Sequence, residues 1–139
     1  VEGRKIVIAS VEWKEGTVYD GKSQSGHTVH FDSGAEHAAG LSPMEAVLVA
    51  LCGCTSMDVV SILQKKREPL EGLLVSAEAE QAKDPPRVFT KIHLTYRIRG
   101  KVAQKSAEDA VALSKNKYCS VSKMLEKSAL ISNSIEYES

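Results

Sequence analysis

The stretch Ala46–Cys54, AVLVALCGC, carries no polar side chain at any position. It comes directly after Ser42-Pro43-Met44-Glu45, which offers Ser at the N-cap, Pro at the first helical position and Glu at the third: a capping box with the favoured first-turn proline. The spacing predicts a helix from there to about Lys66, ending before Pro69 and Gly72. At about 100° per residue the run has no polar face, and a helix apolar on every side must be buried on every side. This constrains everything around it. Few architectures bury a helix completely in a chain of 139 residues. With Phe, Trp and Tyr at only 5%, the covering layers must come from Leu, Ile, Val and Ala.

Strands are expected to supply one of those layers. Val7–Trp13 alternates loosely, Glu15–Gly16 and Asp20–Gly21 mark turns, and Thr17–Tyr19 and His27–Asp32 read as two further short strands. Ser33–Leu41, rich in Gly and Ala, reads as loop. Beyond the helix, Leu73, Val75, Ala77 and Ala79 alternate with Leu74, Ser76, Glu78 and Glu80. After the Asp84-Pro85-Pro86 turn, Val88, Thr90, Ile92, Leu94, Tyr96 and Ile98 alternate with Phe89, Lys91, His93, Thr95, Arg97 and Arg99. Each strand has one dry and one wet face, the pattern of an antiparallel sheet covered on one side. Ser106–Ser114 reads as a second helix capped by Ser106. Its pattern breaks over Asn116–Ser120, resumes to about Lys127, and Ile131–Tyr137 closes as a strand. The expected class is α+β, in the order βββαββααβ. One half-wet sheet cannot cover a helix apolar all round, so an obligate dimer is expected to supply the rest.

Lys plus Arg number 18 and Asp plus Glu 18. A neutral chain lacks the concentrated positive charge of nucleic-acid binding, so no nucleic-acid partner is expected. The cluster Lys65-Lys66-Arg67 reads instead as cations complementing a helix C-terminus. The longest apolar run is about half of the 18–20 residues that span a bilayer, which predicts no membrane association. The first ten residues lack the apolar core of a secretory signal. Three cysteines without a disulfide framework point to a reducing compartment, with the cytoplasm as the expectation.

Cys52 and Cys54 stand about 200° apart around the helix axis and should not bridge while it is intact. A buried cysteine in an apolar helix can serve as a small hydrophobe. Cys119 sits at the break before the last helical segment, where a helix N-terminus favours the thiolate. Spacing alone does not bring Cys54 and Cys119 together. A metal site built from Cys52, Cys54 and one of His27, His30 or His37 is disfavoured, because the two helical sulfurs diverge and no paired-histidine spacing supports it. No metal and no other cofactor is expected.

LSPMEAVLVALCGCTSMDVVSIL, from Leu41 to Leu63, resembles the first signature of the OsmC/Ohr family, and KYCSVSKML, from Lys117 to Leu125, resembles its second. PPRVFTKIHLTYRIRG, WKEG and SGHTVHFD are similar to the branch of OsmC-like proteins. The resemblance covers nearly the whole chain as a single domain, residues 1–139. It implies a six-stranded antiparallel sheet with a long buried helix and a second, broken helix, assembled as an intertwined homodimer with two identical sites at the interface. It also implies thiol-dependent reduction of organic hydroperoxides in oxidative-stress defence, with Cys54 attacking, Cys119 resolving, and an external thiol or dithiol as reductant. Cys52 falls where relatives carry Gly, so packing is its expected part. The family's early-hairpin Arg has no counterpart in Glu15–His27, which holds only Lys22 and His27. His27 or Lys22 is therefore the candidate replacement cation, while Arg87 and Arg97 read as solvated strand residues. Glu45 matches the family's helix-start carboxylate but stands nine residues before Cys54, one short of the hydroperoxide-resistance spacing, and its capping role accounts for it equally. Asp58, one turn beyond Cys54, would oppose ionisation of the thiol if it faced it. The alternative is a non-enzymatic dimer of the same fold that holds an apolar small molecule or serves as an interaction protein.

Overall fold

The capping box forms as the sequence spells it: Ser42 Oγ accepts the Glu45 N–H at 3.1 Å, and Glu45 Oε1 accepts the Ser42 N–H at 2.8 Å. From this start α1 runs over Pro43–Lys65. It ends in a Schellman turn, with the Arg67 N–H on Gln64 O and the Glu68 N–H on Leu63 O. Arg67 holds the left-handed position of that turn, at φ +58°, where glycine is the usual occupant. The computed structural model describes residues 3–138. Along the chain, β1 (Ala9–Glu15), β2 (Val18–Ser23) and β3 (Thr28–Asp32) precede α1, and β4 (Gly72–Gln81) and β5 (Phe89–Arg99) come after it. The order closes with α2 (Gln104–Leu113), a π-helical turn (Ser114–Tyr118), α3 (Ser120–Leu125) and β6 (Leu130–Glu138). The α+β class and the order βββαββααβ are as the sequence predicts.

The chain divides into two compact units, Val1–Val47 and Leu48–Ser139. In the first, β1, β2 and β3 form an antiparallel meander. Lys14 is the extra residue of a bulge between the Trp13–Tyr19 and Glu15–Val18 pairs. The loop after β3 is organised by the Asp32 carboxylate, which accepts from Thr17 Oγ1 at 2.6 Å, the Gly34 N–H at 2.8 Å and the Ala39 N–H at 3.1 Å. Those three donors hold Asp32 below the usual carboxylate range. Gly40 passes so near the β3 backbone that a Cβ there would lie 2.2 Å from His30 O.

The second unit corrects the sheet. The expected six-stranded antiparallel sheet is, within one chain, two three-stranded sheets, β1-β2-β3 and β4-β5-β6, and β6 lies parallel to β5. The helical connection through α2 and α3 is what allows a parallel return, since it carries the chain back to the starting end of the sheet. The alternation along β4 and β5 holds from Leu73 to Glu80 and from Lys91 to Arg99. It fails at the start of β5, where Phe89 is buried and Val88 and Thr90 are exposed. Thr90 is the extra residue of a bulge, because Gln81 pairs with Phe89 and Glu80 with Lys91, and one extra residue inverts the faces.

Two further expectations are corrected. Ser106 does not cap α2; Ala103 occupies that position without a side-chain bond. Glu68 does the work instead, accepting the Ala103 N–H at 2.9 Å and the Ser106 hydroxyl at 2.9 Å. A carboxylate reaching in from the turn after α1 satisfies a helix-terminal donor as well as a local serine would. Within one chain α1 is not buried on every side either. Leu51, Thr55, Val59 and Leu63, four apart, form its buried stripe, while Val49 is 61% and Met57 75% exposed. Over an 18-residue window α1 reaches a mean hydropathy of 2.1, long and apolar enough by length and composition to cross a bilayer. The contiguous run Ala46–Cys54 understates this, because beyond it Thr55, Ser56, Asp58 and Ser61 alternate with Met57, Val59, Val60, Ile62 and Leu63.

Candidate functional site

The chemistry-bearing groups of the second unit gather where the stripe of α1 meets β5 and the π-helical turn. Thr55, next to Cys54 in the chain, points into this junction and bonds Tyr96 Oη at 2.7 Å and Ser114 Oγ at 2.7 Å. Ser114 Oγ donates to Asp58 Oδ2 at 2.8 Å. Ser114 also opens the π-helical turn, and its carbonyl accepts the Cys119 N–H at 2.8 Å. A π turn inserts an extra residue into helical winding, which re-aims the next residues of the chain. The first of these is Cys119, held in an extended conformation at φ −76° and ψ 101°.

Cys119 and Cys54 lie near enough to influence each other: burial is the main cause of the raised Cys119 pKa, and the neighbouring Cys54 adds to it. All three cysteines are free thiols, with Cys119 1% exposed and Cys52 and Cys54 partly covered. Cys119 is also the N-cap of α3, its Sγ accepting the Ser122 N–H at 3.4 Å. The expected stabilisation of its thiolate by a helix start is therefore present, but it is outweighed. Burial pushes the Cys119 thiol up, and the Ser122 hydroxyl and N–H only partly offset it. Burial likewise raises Cys52. The Tyr96 phenol is raised first by burial, opposed by its bond to Thr55, and raised further by the neighbouring Cys119, Cys52 and Asp58. It stays protonated and remains a donor.

Asp58 turns its carboxylate to Ser114, and beyond it opens a cleft of about 340 Å³ lined by Ser61, Lys65, Lys66, Leu113 and Tyr118. Lys117 Nζ stands 5.3 Å from the Tyr118 ring centre. In the first unit, Glu45 is engaged in the capping box, and the Ser42 N–H holds its pKa below the usual value. His27 closes the β2–β3 turn, its N–H on Ser23 Oγ at 3.2 Å, and Lys22 pairs with Thr28 across the same hairpin. His30 bonds Asp20 at 2.7 Å and His37 bonds Asp32 O at 2.6 Å, so both imidazoles have local partners. Arg97 reaches Glu136 and Glu138 on β6, and Arg87 donates to Lys83 O. Among the described residues, no group of three or more His, Cys, Asp or Glu side chains is disposed to hold a metal ion.

A family model described as OsmC-like protein matches residues 34–133. The chain belongs to the OsmC-like protein family. Protein YhfA of Escherichia coli K12 is 43% identical over 129 residues, covering 92% of this chain and 96% of its own. The crystal structure of a hypothetical protein from Aquifex aeolicus VF5 superposes with a TM-score of 0.85 at 29% identity, covering 98% of this chain and 100% of that one. An organic hydroperoxide resistance protein OsmC from Legionella pneumophila shares the OsmC-like fold with a TM-score of 0.72 at 16% identity, over 97% of this chain and 99% of that one. Sequence reasoning singled out both OsmC-like signatures but missed Tyr96, Thr55 and Ser114. Their signal was present: a tyrosine on the dry face of a strand needs a partner for its hydroxyl, and Thr55 lies on the same stripe as Leu51, Val59 and Leu63.

Proposed function

We propose that this OsmC-like protein reduces organic hydroperoxides by a two-cysteine mechanism, as an intertwined homodimer in the cytoplasm. The observation that carries the proposal is that the segments of Cys54 and Cys119, distant in sequence, are joined at the α1–π-turn junction: Thr55, next to Cys54, bonds Ser114 Oγ, and Ser114 O accepts the Cys119 N–H. In the first step the Cys54 thiolate attacks the peroxide. An S–O bond forms, the O–O bond breaks, and the leaving alkoxide takes up the proton the thiol gave, yielding an alcohol and a sulfenic acid. In the second, the Cys119 thiol condenses with that sulfenic acid; an S–S bond forms and water leaves. An external dithiol then reduces the disulfide by two exchanges and is itself oxidised. The raised pKa of Cys119 suits its part: a buried neutral thiol does not compete for peroxide and waits for the sulfenic acid beside it.

A thiol of ordinary pKa about 8.5 is only ~3% ionised at pH 7, so positioning and donors at the leaving oxygen must carry much of the rate. With no Arg in Glu15–His27, the cationic role is assigned to His27 or Lys22, and Glu45 serves first as the helix cap. A second copy covers the apolar surface that one chain leaves open, including Val49 and Met57 of α1 and Val11 and Trp13 of β1. Stopped-flow oxidation of the reduced protein by cumene hydroperoxide tests the activity. A Cys54→Ser protein that consumes peroxide at the parent rate refutes it. Peptide mapping that finds no Cys54–Cys119 disulfide after peroxide treatment removes the resolving role from Cys119.

A second reading, a non-enzymatic binder of small apolar molecules, draws on a pocket of about 430 Å³ in the first unit lined by Val11, Tyr19, Phe31, Ser33 and Pro43. It requires that both Cys54 and Cys119 alkylate slowly at neutral pH and that peroxide leaves them reduced.

A further inference from the structure

The hydroxyl chain beside the thiols has a direction fixed by its acidic end. An ionised carboxylate only accepts, so Ser114 donates its hydrogen to Asp58. Ser114 Oγ must then accept from Thr55, and Thr55 Oγ1 from Tyr96, since each hydroxyl has a single hydrogen to give. The run is Tyr96 to Thr55 to Ser114 to Asp58, and its three hydroxyls are all but sealed from solvent. Chains of this kind strengthen each member, and in a dry setting each bond resists breaking more than it would in water.

Its placement matters more than its strength. Thr55 is the neighbour of Cys54 on α1, and Ser114 begins the π-helical turn that ends at Tyr118, immediately before Cys119. The Thr55–Ser114 bond therefore ties the segment bearing one thiol to the segment bearing the other, while Tyr96 anchors the tie to the centre of the β4-β5-β6 sheet and Asp58 anchors it one turn further along α1. The backbone bond from Cys119 N–H to Ser114 O passes the constraint on to the second thiol.

We infer that Thr55, Ser114 and Tyr96, with Asp58, are positioning residues that hold Cys119 in bonding register with Cys54. The inference deepens the two-cysteine reading by naming what aligns the pair, and it rests on that reading for its biological use. None of the four exchanges electrons. Their product is proximity, which sets how readily two thiols close into a disulfide.

The test is independent of peroxide. Reduced protein is equilibrated with glutathione and glutathione disulfide, so that protein dithiol plus glutathione disulfide gives protein disulfide plus two glutathione. Acid quenching and peptide mapping then give the effective concentration of Cys119 at Cys54. Thr55→Val, which keeps the shape and removes the hydroxyl, is expected to lower it at least about tenfold, and Thr55→Ser, which keeps the hydroxyl, to stay within about threefold of the parent. Ser114→Ala is expected to match Thr55→Val and carries the test alone if the valine protein does not fold. A hydroxyl-free variant within twofold of the parent, or a parent that forms no Cys54–Cys119 disulfide, overturns the inference. A parent whose disulfide depends on these hydroxyls but whose thiols are inert to cumene hydroperoxide supports the positioning role and refutes the peroxidase.

Discussion

Removing Ser114 Oγ should destabilise the protein more than removing Tyr96 Oη, and the difference arises from the direction of the hydroxyl chain. In Tyr96→Phe, Thr55 loses a donor but still gives its own hydrogen to Ser114, and Ser114 still gives its hydrogen to Asp58. One bond between neutral groups is lost, a cost of about 0.5–1.5 kcal/mol. In Ser114→Ala the middle of the chain disappears. The Thr55 hydroxyl, 2% exposed, keeps a hydrogen whose acceptor is gone, and Asp58 loses a charge-assisted bond. An unsatisfied buried donor costs about 1–3 kcal/mol, so the expected total is about 2–3 kcal/mol. Near the midpoint this corresponds to about 3 °C in Tm per kcal/mol for a chain of this size. Urea unfolding at one fixed protein concentration measures both variants, with the m-value checked for constancy, because association adds to apparent stability. If Tyr96→Phe costs as much as Ser114→Ala or more, the hydrogens do not run from Tyr96 towards Asp58 and the reasoning fails.

Arg67→Gly should stabilise the protein by up to about 1 kcal/mol, since Arg67 holds a left-handed conformation that costs a side-chain-bearing residue roughly 1–2 kcal/mol; thermal unfolding that shows no gain argues against the Schellman turn. The folded pKa of Asp32 is depressed, so its contribution is present above the unfolded value of 3.8 and is lost as pH falls through the folded one. Asp32→Asn should therefore be less stable than the parent at pH 7, and the deficit should narrow as pH falls below 3.8; a deficit that does not narrow on acidification removes the three-donor account. The raised pKa of Cys119 gives the opposite sign, with stability fully present below the unfolded thiol value of 9.0 and lost as pH rises through the folded one. At pH 8, iodoacetamide should label Cys119 at least about tenfold more slowly in the native protein than in urea, read by peptide mapping; equal rates contradict its burial. Met57→Glu places a charge on the open face of α1 and should lower the mass seen by sedimentation from dimer to monomer, whereas an unchanged dimer excludes that face from the interface.

The legible part of this fold is the part written in local chemistry. Ser42, Pro43 and Glu45 announce the start of α1 because a capping box needs nothing beyond four consecutive residues. The alternation from Leu73 to Glu80 announces β4 because a pleated strand buries every second side chain. What escaped detection depends on distant partners. Ser106 looks like a cap until Glu68, on the far side of a strand pair in sequence, takes the Ala103 N–H. The parallel setting of β6 depends on where the helices deliver the chain, which the alternation of β4 and β5 does not encode. At the site, the two cysteines were marked by the segments around them, but the bond between Thr55 and Ser114 that joins those segments is one that no spacing rule connects.

Cys119 holds two posts at once, as a free thiol and as the acceptor that closes the first turn of α3. An electron pair shared with another sulfur is less available to the Ser122 amide, so a change in oxidation state reaches the backbone within one bond. A helix of only six residues has little reserve against such a loss. The short helix thus becomes a gauge: amide exchange at Ser122 should quicken when the thiol is consumed and slow again when it is restored.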